Sequence, residues 1–119
     1  MGHYAAEMGP PPDFAAEYQQ EQERFNTIIP FVEAAFLQTL SEWQANGRSG
    51  ADHIKELFEA VHEAAKLELA NANFDLPIYA PSDIRKAMYM LATHGYIQFD
   101  RSLKVTQLGY QRLRSQQQS

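Results

Sequence analysis

A stripe of large apolar side chains begins the regular pattern of this chain near residue 13. Its members recur at steps of three, four or seven positions, which places them on one side of a helix. Asp13 suits an N-cap and Asn46-Gly47 suits a helix end, so the pattern predicts a helix over 13–46. The stripe consists of Phe14, Tyr18, Phe25, Ile28, Ile29, Val32, Phe36, Leu40 and Trp43.

Pro30 lies inside this stripe. A proline in a helix interior lacks the N–H that bonds to the preceding turn, which costs about 3 kcal/mol. The sequence therefore predicts a long helix that is kinked or broken at Pro30, and it favours two segments with a kink or short break between them.

A second apolar stripe predicts a helix over 50–70, with Ser49 and Asp52 as a capping signal before it. Pro77 and Pro81 then mark a connection, because proline excludes a continuing helix. The second stripe consists of Ile54, Leu57, Phe58, Val61, Ala65 and Leu69.

The pattern next predicts a helix over 81–94 that has two distinct faces. Pro81 suits its first turn and Gly95 its end. One arc of about 100° is apolar and is expected to be buried; it carries Ile84, Ala87, Met88 and Leu91. The opposite arc has Asp83 on its flank and carries Ser82, Arg85, Lys86, Tyr89 and Thr93.

Alternating apolar positions after this helix predict a β-hairpin over 96–106. Thr106 can cap a closing helix over 107–114. Residues 1–12 are expected to form a disordered arm and residues 115–119 a frayed tail. The fold class is therefore mostly α with a small β-hairpin, in a single domain.

Charge is unevenly distributed along the chain, whose formal net charge is −5. From Tyr79 onward there are six Lys or Arg residues and two acidic ones, whereas the preceding 78 residues contain four basic and thirteen acidic residues. A basic C-terminal part favours a polyanionic partner such as nucleic acid. Arg and Lys on an exposed helix face can contact guanine edges and phosphates in a major groove.

The 119 residues, 45% of them hydrophobic, correspond to one globular domain. No apolar run approaches the roughly 18 residues needed to cross a bilayer, and there is no cysteine. We therefore expect no membrane partner, no disulfide and a cytoplasmic location.

The last third of the chain contains a recognisable series of short sequence motifs. The helix from Asp83 is followed by His94-Gly95-Tyr96-Ile97, the hairpin and Val105-Thr106-Gln107-Leu108-Gly109-Tyr110. Over about 35 of the 119 residues, this order resembles the C-terminal half of the winged-helix domain of MarR-like and PadR-like regulators. The resemblance implies a recognition helix at 81–94, a wing at 96–106 and a homodimer that binds duplex DNA.

Physical reasons explain why glycine stands at two positions of these motifs. Gly95 can adopt the left-handed conformation that ends the helix and turns the chain into the first strand. Gly109 can let the closing helix approach the rest of the domain closely.

We therefore expect a DNA-binding winged-helix protein that serves in transcriptional or other DNA-linked regulation. The expected nucleic-acid-binding residues are Ser82, Arg85, Lys86, Tyr89, Thr93, Arg101, Lys104 and Arg112. The first apolar stripe is long for a monomer of this size, so a homodimer interface is expected at Phe14, Tyr18, Phe25 and Ile29.

The alternative is a winged-helix module that docks on an acidic partner protein without binding DNA. The connection containing Pro77 and Pro81 is longer than the tight turn of the family, and the wing is short. The docking face would then include Tyr79, Tyr89, Met90 and Tyr96. Duplex binding requires the cations on one face, whereas docking tolerates cations scattered around exposed aromatic side chains.

No catalytic residue, cofactor or metal site is expected. The chain has neither a P-loop, nor a dinucleotide-binding glycine motif, nor a Gly-x-Ser-x-Gly phrase. His53, His62 and His94 lack the i, i+4 spacing of a ligand pair. A ligand cavity between the long helices is supported only by the number of aromatic residues.

Overall fold

Four helices and two short strands form residues 12–117, which are the residues that the structure, a computed structural model, describes. The helices are α1 (Pro12–Ala45), α2 (Ile54–Asn71), α3 (Ser82–Thr93) and α4 (Gln107–Gln117). Strands β1 (Ile97–Phe99) and β2 (Leu103–Val105) pair in antiparallel orientation between α3 and α4. A mostly helical fold with a small hairpin is thus confirmed. Residues 1–11 of the predicted arm and 118–119 of the predicted tail lie outside the described residues.

α1 is one continuous helix, so the predicted break at Pro30 is wrong, whereas a kink there stays a prediction. Pro30 and Asn26, whose carbonyl loses its helical donor, are both exposed, so water can reach that carbonyl. Ile28, Ile29 and Val32 are buried around the proline. Burying each of these side chains contributes about 1.5–3 kcal/mol, and together they outweigh the missing hydrogen bond.

Several element ends also differ from the prediction, and three of them change its interpretation. α1 already includes Pro12 and Asp13, so Asp13 is not its N-cap. α2 begins at Ile54 because residues 50–53 form turns. α4 continues to Gln117, so this part of the predicted frayed tail is helical.

The core lies where α1 packs against α2, α3, α4 and β2. The predicted inner face of α3 is buried there, with Ile84, Ala87, Met88 and Leu91 each at most 4% exposed. Phe36 of α1 meets Phe58 of α2 edge to face, with ring centroids 6.2 Å apart. Among residues 12–117, no helix combines the length and apolar character needed to span a membrane.

A buried ion pair joins α1 to the start of α3. Asp83, expected on the flank of the outward face, is only 1% exposed and lies against Arg24, which is 7% exposed. Two guanidinium nitrogens of Arg24 donate to the two carboxylate oxygens of Asp83, at 2.9 and 3.2 Å. Arg24 also donates to the Pro77 carbonyl at 2.8 Å, and the Tyr79 N–H donates to Asp83 at 2.8 Å. These bonds hold the connection before α3 against α1.

Glu21 forms the exposed side of the same cluster. The guanidinium of Arg24 donates to both of its carboxylate oxygens, at 2.9 and 2.7 Å. The hydrogen bond to Glu21, and to a smaller extent the hydrogen bond to Asp83, raises the pKa of Arg24 above its ordinary value. The hydrogen bond from Arg24 in turn lowers the pKa of Glu21.

The hairpin and α4 meet at a tight junction. Gly95 has a φ of +81°, which is the left-handed conformation expected at the end of α3. The Thr106 hydroxyl accepts the Gly109 N–H at 3.1 Å, as expected for a helix N-cap. A Cβ added at Gly109 would lie 2.1 Å from the Tyr96 carbonyl oxygen and 2.7 Å from a methyl group of Val105. Only glycine therefore fits this approach.

Replacing Asp83 by alanine is expected to destabilise the fold by about 3 kcal/mol. The substitution leaves a buried guanidinium and the Tyr79 N–H without an acceptor, and Glu21 compensates only in part. The measurement is the free energy of unfolding in urea at neutral pH. Glu21→Gln is the matched control, and it should cost much less because Glu21 is 51% exposed. Equal losses in the two variants would contradict a structural role for the buried pair.

Gly109→Ala is expected to lower stability by about 1–3 kcal/mol or more, because the new methyl group meets backbone atoms that cannot rotate away. Thermal unfolding followed by circular dichroism measures this loss. Gly50→Ala is the control, since its Cβ would meet the flexible ends of Leu40 and Leu57, at 2.9 and 3.1 Å. If Gly109→Ala is as stable as the parent chain, the close approach of α4 is wrong.

Candidate functional site

The outward face of α3 is exposed along its length. All five predicted side chains of this face are exposed to solvent, namely Ser82, Arg85, Lys86, Tyr89 and Thr93. The Thr93 hydroxyl donates to the Tyr89 carbonyl at 2.8 Å, so it is already engaged within the helix. The arginine, the lysine and the tyrosine are the members of this face most available to a partner.

An aromatic pair joins α3 to the hairpin. The Tyr89 and Phe99 rings meet edge to face, with centroids 5.9 Å apart and planes at 81°. Phe99 pairs with Leu103 across the strands and Gln98 pairs with Lys104. Because directly opposed residues share one face of a hairpin, Phe99 lies on the side that faces α3 and Lys104 lies on the other side.

A groove runs between α2, α3 and β1, and we refer to it as the α2–α3 groove. Its volume is about 570 Å³. Phe58 and Met88, 8% and 4% exposed, form its floor. Its other lining residues are Ile54, Lys55, Glu59, His62, Ala80, Pro81, Arg85, Tyr89 and Phe99.

The two cations of α3 point to different neighbours. Arg85 lines the α2–α3 groove, as does Lys55 of α2. The Lys86 ammonium lies 5.1 Å from the centre of the Phe25 ring of α1. The charge of Lys86 also contributes to the low pKa of Glu21, after the larger contributions of Arg24.

Arg101 is exposed at the turn of the hairpin, next to Asp100. The Asp100 carboxylate accepts the backbone N–H groups of Ser102 and Arg101 and a side-chain N–H of Gln98. These hydrogen bonds, of which the one from Ser102 has the largest effect, lower the pKa of Asp100. The turn is therefore organised by a carboxylate, and Arg101 lies exposed within it.

Lys104 and Arg112 lie away from the α3 face. Lys104 lines a separate recess together with Gln44 and Arg48, near the end of α1. The Arg112 guanidinium lies 5.6 Å from the centre of the Tyr96 ring. Burial raises the pKa of Glu33, and smaller electrostatic effects of His94 and Arg112 lower it. Arg112 therefore lies near the Glu33 carboxyl group. The predicted cations therefore occupy several surfaces.

The exposed cations of the α2–α3 groove, of the outward face of α3 and of the hairpin turn form a smaller set, which we call the α3 patch. It consists of Lys55, Arg85, Lys86 and Arg101. Lys55 was missed from the sequence, where it follows the apolar Ile54 as one of many charged residues of α2. Only the packing of α2 beside α3 brings Lys55 to the groove that Arg85 lines.

The four residues predicted for a homodimer interface differ in exposure. Phe14 and Tyr18 are 58% and 61% exposed, and every residue from 14 to 23 is exposed. Phe25 is half-buried beneath Lys86. Ile29 is 8% exposed and belongs to the core of the single chain, so it offers little surface to a partner. The apolar period alone could not separate an interface from the core, because both lie on the same stripe.

Histidine side chains contact the backbone. His62 Nε2 forms a hydrogen bond with the Ile78 carbonyl at 3.0 Å, and His94 Nδ1 forms one with the Met90 carbonyl at 2.8 Å. Within residues 12–117, no three His, Asp or Glu side chains are grouped so that they could hold a metal ion.

Comparisons with known proteins leave the α3 patch to be interpreted from its own geometry. No known protein family, curated protein sequence or solved structure matches this chain.

Proposed function

We propose that this chain is a winged-helix-like DNA-binding protein that serves in transcriptional or other DNA-linked regulation in the cytoplasm. The observation that carries the proposal is the outward face of α3, whose five predicted side chains are all exposed beside the hairpin. Its opposite face is fixed in the core, so α3 can present these side chains to a groove as a rigid element.

The electrostatics of α3 support this proposal. Asp83 lies on the first turn, where its carboxylate would repel a phosphate. Its ion pair with Arg24 instead buries and balances that charge. In this proposal, Arg85 and Tyr89 contact base edges, while Lys86 and Arg101 contact phosphates. Lys55, on the other side of the α2–α3 groove, is a further phosphate ligand.

The proposal includes a homodimer formed through the first turns of α1. Residues 14–23 span about 15 Å of helix at 1.5 Å per residue, and all of them are exposed. Phe14 and Tyr18 lie one turn apart on this segment, and a second copy would bury both rings. A dimer would present two α3 helices to two half-sites.

Arg85→Ala/Lys86→Ala is expected to weaken binding to mixed-sequence duplex DNA. Fluorescence anisotropy, from about 50 to about 200 mM salt, measures both the affinity and its dependence on salt. The parent chain should bind with a Kd of about 10⁻⁶ M or tighter at the lower salt concentration. The log–log salt slope of the double variant should be shallower by about 0.9, since Lys86 is the phosphate contact that it removes and each such contact contributes about 0.9.

Lys104→Ala/Arg112→Ala is the matched control for this experiment, because it removes the same charge from other surfaces of the chain. It should retain most of the affinity and of the salt slope. Equal weakening in the two double variants would indicate attraction by net charge alone. No binding of the parent chain at about 50 mM salt would reject the DNA proposal, because phosphate attraction is strongest there.

Phe14→Ser/Tyr18→Ser is expected to convert the homodimer into a monomer without unfolding it, since both side chains are exposed in the single chain. Sedimentation equilibrium measures the mass, and circular dichroism verifies the helix content. Leu67→Ser is the control, because Leu67 is 62% exposed on α2 and should leave the mass unchanged. A parent chain that sediments as a monomer at all concentrations would contradict the dimer.

A further inference from the structure

The α2–α3 groove has an apolar interior that contact with a nucleic-acid backbone does not explain. Phe58 and Met88 form its floor, and Ile54, Tyr89 and Phe99 line it with 38%, 52% and 43% of their surface exposed. A sugar-phosphate backbone offers no apolar side chain to fill such a floor. Concave, largely apolar surfaces with a few polar groups at the rim are typical of sites that bind side chains of a partner.

The rim of the groove carries two cations that have no partner within the described residues. Lys55 on α2 and Arg85 on α3 make neither an ion pair nor a side-chain hydrogen bond among residues 12–117. Glu59, one turn after Lys55, supplies the single carboxylate of the lining. The rim is therefore positive on balance, and it favours a partner with carboxylates beside its apolar groups.

The length of the groove limits the kind of partner that fits. Its lining on α2 runs from Ile54 to His62, which is about 12 Å at 1.5 Å per residue. This length matches two turns of a helix or about four extended residues. The His62 ring marks one end, where it forms a hydrogen bond with the Ile78 carbonyl.

We infer that the α2–α3 groove binds a short acidic peptide segment of another protein, which inserts apolar side chains between Phe58 and Phe99 and pairs carboxylates with Lys55 and Arg85. This inference goes beyond DNA binding, because the apolar floor takes no part in the DNA contacts proposed above. Lys55, Arg85 and Tyr89 belong to both surfaces, however. A bound peptide therefore covers part of the outward face of α3 and competes with duplex DNA.

Three fluorescently labelled peptides of about nine residues test this inference on the full chain. The first carries two Leu anchors four positions apart, with Glu at its other positions. The second replaces each Glu by Lys, and the third replaces the Leu anchors by Ala. Anisotropy titrations should give the first peptide an affinity at least about fivefold above that of each of the others.

Variants of the chain locate the binding in the groove. Lys55→Ala/Arg85→Ala and, separately, Phe99→Ala should each weaken binding of the first peptide by at least about fivefold. Arg48→Ala/Lys104→Ala removes the same charge from the separate recess near the end of α1 and should leave this affinity unchanged. All these side chains are exposed, and thermal unfolding verifies that each variant folds.

Several outcomes would overturn the inference. Equal affinity for the Glu and Lys peptides would reject the acidic partner, and equal affinity for the Leu and Ala peptides would reject the groove. Self-association of the chain that Phe99→Ala abolishes would assign the groove to a second copy. A duplex that displaces no bound peptide would reject the competition. Peptide binding by a chain that binds no DNA would reject the DNA proposal and leave the groove assignment intact.

Discussion

The position of α3 depends on the guanidinium group of Arg24. This one side chain contacts the carboxylate of Asp83, the carbonyl of Pro77 and the carboxylate of Glu21, and its guanidinium carbon lies 4.4 Å from the centre of the Tyr79 ring. A buried carboxylate is costly unless it is paired and hydrogen-bonded, so Asp83 can enter the core only where Arg24 meets it. The pair thereby holds the connection before α3 and the first turn of α3 against α1.

The same pair changes the electrostatics of the surface. In the sequence, Asp83 is an acid among the cations of the last third of the chain. In the fold Asp83 is buried and its charge is balanced by Arg24. Arg85 and Lys86 are therefore exposed on α3 without an acidic side chain from Asp83 beside them. Packing also separates the cations that the sequence groups together, because Lys104 lies on the outer side of the hairpin and Arg112 lies beside Tyr96. Position along the chain is therefore a poor guide to the positive surface.

The α3 patch and the α2–α3 groove share Lys55 and Arg85, and this sharing links the two proposals. Duplex DNA requires cations and hydrogen-bonding groups on a protruding helix, whereas an acidic peptide requires cations around an apolar recess. The Tyr89–Phe99 pair lies at the boundary between these two surfaces. If both proposals hold, a partner that occupies the groove controls the DNA contacts without any change in the fold.

The sequence by itself determined the helices, the hairpin and the two faces of α3, because apolar periodicity and capping are set by residues within a few turns of one another. It also explained Gly95, whose role at the end of α3 is local, and it anticipated the close approach of α4 at Gly109. Only the tertiary structure decided the continuity of α1 through Pro30, the burial of Ile29 and Asp83, and the place of Lys55 beside the groove. Each of these features depends on residues that are far apart in the chain; Arg24 and Asp83, for example, are separated by 59 positions. A local sequence pattern carries no information about which distant residue will pack against a given side chain.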